Sequence, residues 1–188
     1  MLEDLAAHVL DIAENSVRAG ATKVDVEVTE DEYGDKMTFS VEDNGKGMSA
    51  DFIAKVTDPF TTTRTTRRVG MGLPFLKQSA ELCGGGLEIK SKVGKGTKTT
   101  ASFALSSVDR PPMGDMPGTV MTLIMGSPKI HWIYKHKTNS GEFVIDTDEL
   151  LEALDGDREM LRTAEVGIWI RDAVKEGLDS IKWGGAQK

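Results

Sequence analysis

Val41-Glu42-Asp43-Asn44-Gly45-Lys46-Gly47-Met48 is the stretch from which the rest of this sequence is best interpreted. It closes a run in which apolar and polar residues alternate, as in a strand with one buried face. The apolar members of that run are Met37, Phe39 and Val41. The strand is predicted to end at Asp43, with Gly45 and Gly47 just beyond. A carboxylate beside two positions without side chains can hold a flat polar ligand, because the carboxylate accepts hydrogen bonds and glycines let the backbone approach closely. The alternative is a simple turn, which Asp-Asn-Gly sequences favour.

The composition is that of an acidic globular protein. The chain has 188 residues and a net charge of −7, and residues 1–105 and 106–188 are both acidic. This argues against binding to a nucleic-acid backbone as the main function. The only cysteine is Cys83, so an intramolecular disulfide is excluded. The acidic start of the sequence is unlike a signal peptide, and the longest apolar run after residue 105 is too short to span a bilayer. We therefore expect a cytoplasmic protein that does not bind membranes.

The first hundred residues contain helix and strand patterns in a distinctive order. The predicted elements are a helix over 2–18, strands over 23–29 and 37–43, helices over 49–56 and 74–83, and strands over 87–91 and 98–105. This order predicts an α/β (α+β) fold, a two-layer sandwich in which helices cover one face of a mixed, largely antiparallel sheet.

The remainder is predicted to be a small C-terminal α+β extension. Residues 106–118 contain three prolines and two glycines and are interpreted as a linker. Beyond it, residues 119–188 predict a hairpin plus two helices. Its strands would be 119–125 and 130–137, with a possible third strand over 142–145, and the helices would be 147–154 and 157–181. These residues could extend the first sheet or form a separate module, and the sequence leaves both open.

Two segments suggest an anion site. Gly70 and Gly72 precede a helix that has Pro74 in its first turn. Free amides and the helix dipole at such a terminus favour a bound phosphate. No Gly-Lys-Ser/Thr follows, so this is not a Walker loop. Residues 61–69, with five threonines and three arginines, are either a solvated loop or a loop that contacts anions.

The first helix carries a polar stripe at spacings of three and four residues, made of His8, Asp11, Glu14, Asn15 and Arg18. Such a stripe is normally a solvated face. It becomes functional if it lines a pocket with Asp43, with Gly70 and Gly72, and with the predicted turn at Gly96 and Thr97.

Five motifs in this order resemble the ATP-binding domain shared by DNA gyrase B, Hsp90, sensor histidine kinases and MutL (the GHKL superfamily). They are residues 12–22, Asp43-Asn44-Gly45-Lys46-Gly47-Met48, Asp58-Pro59-Phe60-Thr61-Thr62, Gly70-Met71-Gly72-Leu73 and Gly94-Lys95-Gly96-Thr97. The resemblance covers residues 5–105, implies a Bergerat-type fold, and is nearest to a stand-alone histidine-kinase-like domain. Residues 106–188 resemble no family that we can name.

The resemblance also implies roles for individual residues. Asp43 would accept the adenine amino group, Asn15 would bind Mg²⁺, and Glu14 would act on the attacking water or a protein nucleophile. The ATP-binding set would be Asn15, Asp43, Gly45, Gly47, Met48, Phe60, Gly70, Gly72, Leu73 and Thr97. The lid would span residues 61–69 and include Thr61, Thr62, Thr63 and Arg64, with Arg64, Arg67 or Arg68 reaching the γ-phosphate.

Three functions are consistent with these residues. The first is a stand-alone protein kinase or ATPase that uses ATP and Mg²⁺ and acts on a partner protein. The second is a non-catalytic, ATP-sensing regulatory module. The third is a subunit of a nucleic-acid-processing ATPase, which the acidic charge disfavours. The sequence identifies neither the partner nor the oligomeric state.

Overall fold

A computed structural model describes residues 4–57 and 72–182. Its helices are α1 (Leu5–Arg18), α2 (Ala50–Val56), α3 (Gly72–Leu82), α4 (Met116–Gly126), α5 (Thr147–Ala153) and α6 (Ala164–Ser180), with a 3-10 helix over Arg158–Arg162. Its strands are β1 (Lys23–Asp31), β2 (Lys36–Asp43), β3 (Gly86–Lys92), β4 (Gly96–Ala104), β5 (His131–Thr138) and β6 (Gly141–Asp146).

The strands form one six-stranded sheet in the order β3-β4-β2-β1-β5-β6. The neighbours β1 and β5 are parallel, and the other four pairs are antiparallel. The predicted mixed, largely antiparallel sheet is thus confirmed. Of the two arrangements left open for the C-terminal part, the structure has the one that extends the first sheet.

One face of the sheet is buried beneath helices. Along β1 and β2, every second side chain is buried, and these are Val24, Val26, Val28, Met37, Phe39 and Val41. The intervening residues form a polar face, on which the Lys98 ammonium lies 2.8 Å from the Glu42 carboxylate. This alternation gives the two-layer sandwich. Within residues 4–57 and 72–182, no helix is both long and apolar enough to cross a bilayer.

The helix α1 is held at its N-terminus by two different partners. Asp4 is the N-cap, and its carboxylate accepts a hydrogen bond from the Ala7 amide at 2.8 Å. The carbonyl oxygens of Pro112 and Met113 accept from the amides of Leu5 and Ala6, each at 2.9 Å. The predicted linker therefore supplies acceptors to amides that have no partner within the helix.

The prediction of a strand over residues 119–125 is wrong, because these residues lie in α4. The Asp115 side chain caps this helix by accepting from the Gly118 amide at 2.9 Å, and Pro117 lies in the first turn. The predicted hairpin partner is therefore absent, and β5 pairs with β1 and β6 instead. Since α4 begins at Met116, the last three residues of the predicted linker are helical.

The later C-terminal elements agree better with the sequence. The strand β6 and the helix α5, capped by Asp146, lie where a third strand and a short helix were predicted. The last predicted helix is divided into the 3-10 helix and α6. The division of the chain after residue 105 stays a prediction, although one hydrophobic core includes residues from both sides of it.

Candidate functional site

Three polar side chains form a row across neighbouring strands at one end of the sheet. Asp43 on β2 is paired with Thr97 on β4, and Thr97 is paired with Ser91 on β3. Because side chains of paired residues lie on the same face, this row continues the helix-covered face. The row therefore places Thr97 between Asp43 and Ser91.

Asp43 is held through both of its carboxylate oxygens. The buried Ser16 hydroxyl on α1 donates to Oδ2 at 2.7 Å, and the Gly45 amide donates to Oδ1 at 2.8 Å. A carboxylate has about four acceptor positions, so these two bonds orient the group and leave capacity for a ligand. The strand end and α1 are thereby joined at Asp43.

Two glycine-containing loops pack backbone against backbone beside this row. Gly47 has a φ of +67°, and a Cβ there would overlap the Lys92 carbonyl. Gly96 has a φ of +99°, and a Cβ there would overlap the Asp43 carbonyl. The Gly94 amide also donates to the Lys46 carbonyl at 2.7 Å. The loop after β2 and the turn between β3 and β4 thus form one close-packed unit that larger residues would separate.

One turn of α1 presents Glu14 and Asn15 together with Arg18. The Arg18 guanidinium donates to Asn15 Oδ1 at 2.7 Å and to Glu14 Oε2 at 3.0 Å. About half of the Glu14 and Arg18 side chains is exposed, 49% and 52% respectively. In this arrangement Glu14 forms an exposed ion pair, of a kind that contributes little to stability.

The N-terminus of α3 lies against α1 at Asp11. Gly72 is the first residue of α3, and a Cβ at this position would overlap the Asp11 carboxylate. Burial raises the pKa of Asp11, an effect that Arg18 opposes and Glu14 reinforces. Asp11 also precedes Asn15 by one helical turn, so the two side chains share a face of α1. This places a half-buried carboxylate at the helix terminus predicted to bind phosphate.

Comparison with known protein families identifies the fold. Residues 2–107 match the family described as "Histidine kinase-, DNA gyrase B-, and HSP90-like ATPase". The chain belongs to this ATPase family. Membership supports ATP binding, and the family region contains α1, β1 to β4, α2 and α3.

The individual relatives are distant. The chain is 37% identical over 93 residues to the "Non-motile and phage-resistance protein" of Caulobacter vibrioides, a match covering 47% of this chain and 11% of that protein. It is 29% identical over 106 residues to the "Sensor histidine kinase ZraS" of Escherichia coli K12, covering 56% of this chain and 23% of the relative. The chain thus spans between a tenth and a quarter of the length of these two relatives.

A solved structure titled "Crystal Structure of N terminal domain of a DNA repair protein" has a related fold. The likeness has a TM-score of 0.50 at 18% identity and covers 76% of this chain and 51% of that one. The covered part is larger than the 106 residues of the family match. At this level of identity, the likeness concerns the fold alone.

The predicted site residues of this ATPase domain can now be placed. Asn15 lies on α1 one residue before Ser16, which binds Asp43, and α1 also contacts Gly72. The Met48 amide donates to Ser91 Oγ at 2.8 Å, and Leu73 is partly buried at the start of α3. The structure brings these segments together around α1. Eight predicted site or lid residues lie outside the described part of the chain: Phe60, Thr61, Thr62, Thr63, Arg64, Arg67, Arg68 and Gly70.

Several residues at the site had no role in the sequence interpretation. Asn44 Oδ1 accepts from the amides of Thr22 and Lys23 at 2.9 and 3.0 Å, which ties the first glycine motif to the start of β1. Ser16 and Ser91 bind residues distant in sequence. Asp11 was noted only as a member of the polar stripe. Its spacing of four from Asn15 was an available signal, whereas the contacts of the two serines require the fold.

Proposed function

We propose that this chain is an ATP-dependent catalytic domain, a protein kinase or an ATPase that acts on a partner protein. The observation that supports this most directly is the convergence of motifs on α1. Ser16 of this helix binds Asp43, Asp11 contacts Gly72, and Asn15 lies between them in sequence. A base at Asp43 and a phosphate chain near α3 would therefore be bound along one helix.

Recognition of adenine would depend on Asp43. Its carboxylate oxygens accept hydrogen bonds and so match the amino group of adenine, whereas guanine presents a carbonyl oxygen at that position. Two acceptors facing each other repel, so this carboxylate selects ATP over GTP. Gly47 carries no side chain and would let the base lie against the backbone.

Asn15 is the proposed Mg²⁺ ligand. Its amide oxygen is a hard, neutral donor of the type that Mg²⁺ accepts alongside water and phosphate oxygens, so the chemistry of this side chain fits the metal. Arg18, which now donates to Asn15 Oδ1, would move aside. When bound, Mg²⁺ neutralises phosphate charge.

Two carboxylates are candidates for the general base. Glu14 was assigned this role by resemblance, but it is half exposed and ion-paired with Arg18. Asp11, on α1, is half-buried against the start of α3, and burial raises the pKa of its carboxyl group. A base with a raised pKa accepts a proton more readily at neutral pH. Asp11 is therefore the stronger candidate to activate a water or a protein hydroxyl or imidazole near the γ-phosphate.

The test compares Asp11→Asn with Glu14→Gln, which remove the same charge from neighbouring positions. We expect Asp11→Asn to lower ATP turnover about 100-fold or more, as for loss of a general base, while ATP affinity stays within about threefold. Glu14→Gln should retain most of the activity. The measurements are ATP hydrolysis, phosphotransfer to proteins retained by the ATP-bound chain, and calorimetric ATP binding. A larger loss of turnover in Glu14→Gln than in Asp11→Asn would identify Glu14 as the general base.

An ATP-sensing module is the second candidate, and one observation favours it. The carbonyl oxygens of Pro112 and Met113 bind the first amides of α1, and β5 pairs with β1. A shift of α1 on ATP binding would therefore reach the C-terminal elements. Wild-type protein that binds ATP but consumes none, with every retained partner supplied, would favour the sensor. ATP-dependent hydrogen-exchange protection in β5 and β6 would then report the signal.

The proposed location is the cytoplasm, where ATP is available. Cys83 is buried and unpaired, which is compatible with a reducing compartment.

A further inference from the structure

Ser91 joins the two glycine loops through its hydroxyl group. Ser91 Oγ accepts from the Met48 amide at 2.8 Å and donates to the Gly96 carbonyl at 2.8 Å. It also lies 2.8 Å from Thr97 Oγ1. We propose that Ser91 is a specificity-determining residue, which makes Thr97 a hydrogen-bond acceptor towards the bound base and thereby favours a 6-aminopurine nucleotide.

The direction of each hydrogen bond follows from a count of protons. A serine hydroxyl has one proton to donate. The Gly96 carbonyl can only accept, whereas the Thr97 hydroxyl can also donate, so we assign the Ser91 proton to Gly96. The Met48 amide can only donate, so it occupies one lone pair of Ser91 Oγ. With the Ser91 proton assigned to Gly96, the remaining contact is a bond in which the Thr97 hydroxyl donates to Ser91.

This assignment determines what Thr97 offers to a ligand. With its proton directed at Ser91, Thr97 Oγ1 presents only lone pairs elsewhere. In the cross-strand row, Thr97 is the neighbour of Asp43, which is itself an acceptor. Two adjacent acceptors match the amino group of adenine, directly or through a water, and oppose the carbonyl oxygen of guanine. The inference rests on the proposed ATP site and adds a second determinant of base selection.

Removal of the Ser91 hydroxyl should weaken the preference for ATP over GTP that Thr97 provides. In Ser91→Ala, the Thr97 hydroxyl is free to rotate and can donate to guanine as well as accept from adenine. We expect the ratio of GTP to ATP dissociation constants to fall about three- to tenfold, as for one neutral hydrogen bond. Ser102→Ala is the matched control, because Ser102 lies on the same hairpin at its other end and bonds only weakly to Gly86, at 3.5 Å.

The experiment measures ATP and GTP binding by calorimetry for wild type, both alanine variants, Ser91→Thr and Thr97→Val. Ser91→Thr keeps the hydroxyl and should keep the wild-type ratio. Thr97→Val keeps the Ser91 bonds to Met48 and Gly96 and should lower the ratio like Ser91→Ala, which provides a second test if Ser91→Ala fails to fold. Adding Ser91→Ala to Thr97→Val should cause no further change in the ratio.

The outcomes separate this inference from the proposed function. If the wild type binds ATP but Ser91→Ala and Thr97→Val weaken ATP and GTP binding equally, both residues are merely structural and the inference is overturned. An additive effect in the double variant would also overturn it, since Ser91 would then not act through Thr97. If the folded wild type binds neither nucleotide, the proposed function itself fails.

Discussion

At the scale of single residues, Asp43 shows how a polar group is prepared for a ligand. Both of its oxygens already accept a hydrogen bond, from the Ser16 hydroxyl and from the Gly45 amide. These bonds restrict the rotation of the side chain before any ligand binds. Less conformational entropy is then lost on binding, which is the general benefit of preorganisation.

Asp43→Asn tests this role directly. The substitution replaces a charged acceptor with an amide whose nitrogen cannot accept from adenine, and it disturbs the bonds from Ser16 or Gly45. We expect ATP affinity to fall about 10- to 100-fold, because a charge-assisted hydrogen bond is lost. Calorimetric titration checks this. Asp25→Asn, on β1 beside Lys23, is the control and should leave affinity unchanged. An unaltered ATP affinity in Asp43→Asn would contradict the proposal that Asp43 binds adenine.

The sequence was informative about which segments meet at the candidate site, but less about what each residue there would do. Asp43, Gly47 and Gly96 were recognisable because a strand end and glycine-rich turns have strong local signatures. Asp11 and Glu14 lie on the same polar stripe of α1, and periodicity alone cannot rank them. Only the position of Gly72 against Asp11, and the ion pair between Glu14 and Arg18, distinguish the two carboxylates.

At the scale of elements, α4 shows where local pattern fails. Residues 119–125 are rich in β-branched and apolar side chains, which favour strands. The segment is a helix because Asp115 caps it, Pro117 suits its first turn, and buried neighbours surround it. A helix that is apolar on most sides lacks the periodicity that would identify it. The amphipathic α1, in contrast, was predictable from sequence.

Gly96 and Gly94 allow a test of the turn between β3 and β4. Both have positive φ, but an added Cβ would overlap the Asp43 carbonyl at Gly96 and would meet nothing within 4 Å at Gly94. We expect Gly94→Ala to lower the free energy of unfolding by about 1–2 kcal/mol, the cost of a left-handed alanine. Gly96→Ala should cost more than about 3 kcal/mol, since backbone overlap adds to this strain. Urea unfolding measures both losses, and equal losses would contradict the close packing of Gly96 against the Asp43 carbonyl.

At the scale of the whole molecule, the pairing of β1 with β5 unites the family region with the C-terminal part. A buried polar network lies at this junction. His136 Nε2 lies 2.7 Å from Glu30 Oε1, and the Tyr134 hydroxyl lies 2.8 Å from His136 Nδ1. An arrangement in which the Tyr134 hydroxyl donates to Nδ1 and Nε2–H donates to the Glu30 carboxylate satisfies all three groups. The network therefore links β1 to β5 in addition to the backbone bonds.

This network should make stability depend on pH. The hydrogen bond from His136 lowers the pKa of Glu30, although burial opposes the effect. Since the pKa is lower in the folded state, the contribution of Glu30 to stability is present above the unfolded value of 4.5 and is lost as the pH falls through the folded value.

Glu30→Gln should reduce the dependence of the free energy of unfolding on pH in this range. We expect the free energy of unfolding of the variant to fall less than that of the wild type as the pH is lowered from about 7 to below the unfolded value. Urea unfolding at a series of pH values measures the difference. Glu27→Gln, on the exposed face of the same strand, is the control and should follow the wild type. Parallel profiles for Glu30→Gln and wild type would show that Glu30 does not contribute.

The parallel pairing of β1 with β5 also affects how the protein is made. Lys23 on β1 is aligned with His131 on β5, so the middle of the sheet joins segments that are far apart in the chain. Contacts of such high sequence separation slow folding, because a long loop must close before they form. A ribosome adds about 5–20 residues per second. The nascent chain therefore spends several seconds with one edge of β1 unpaired, a period in which chaperone binding would protect it from aggregation.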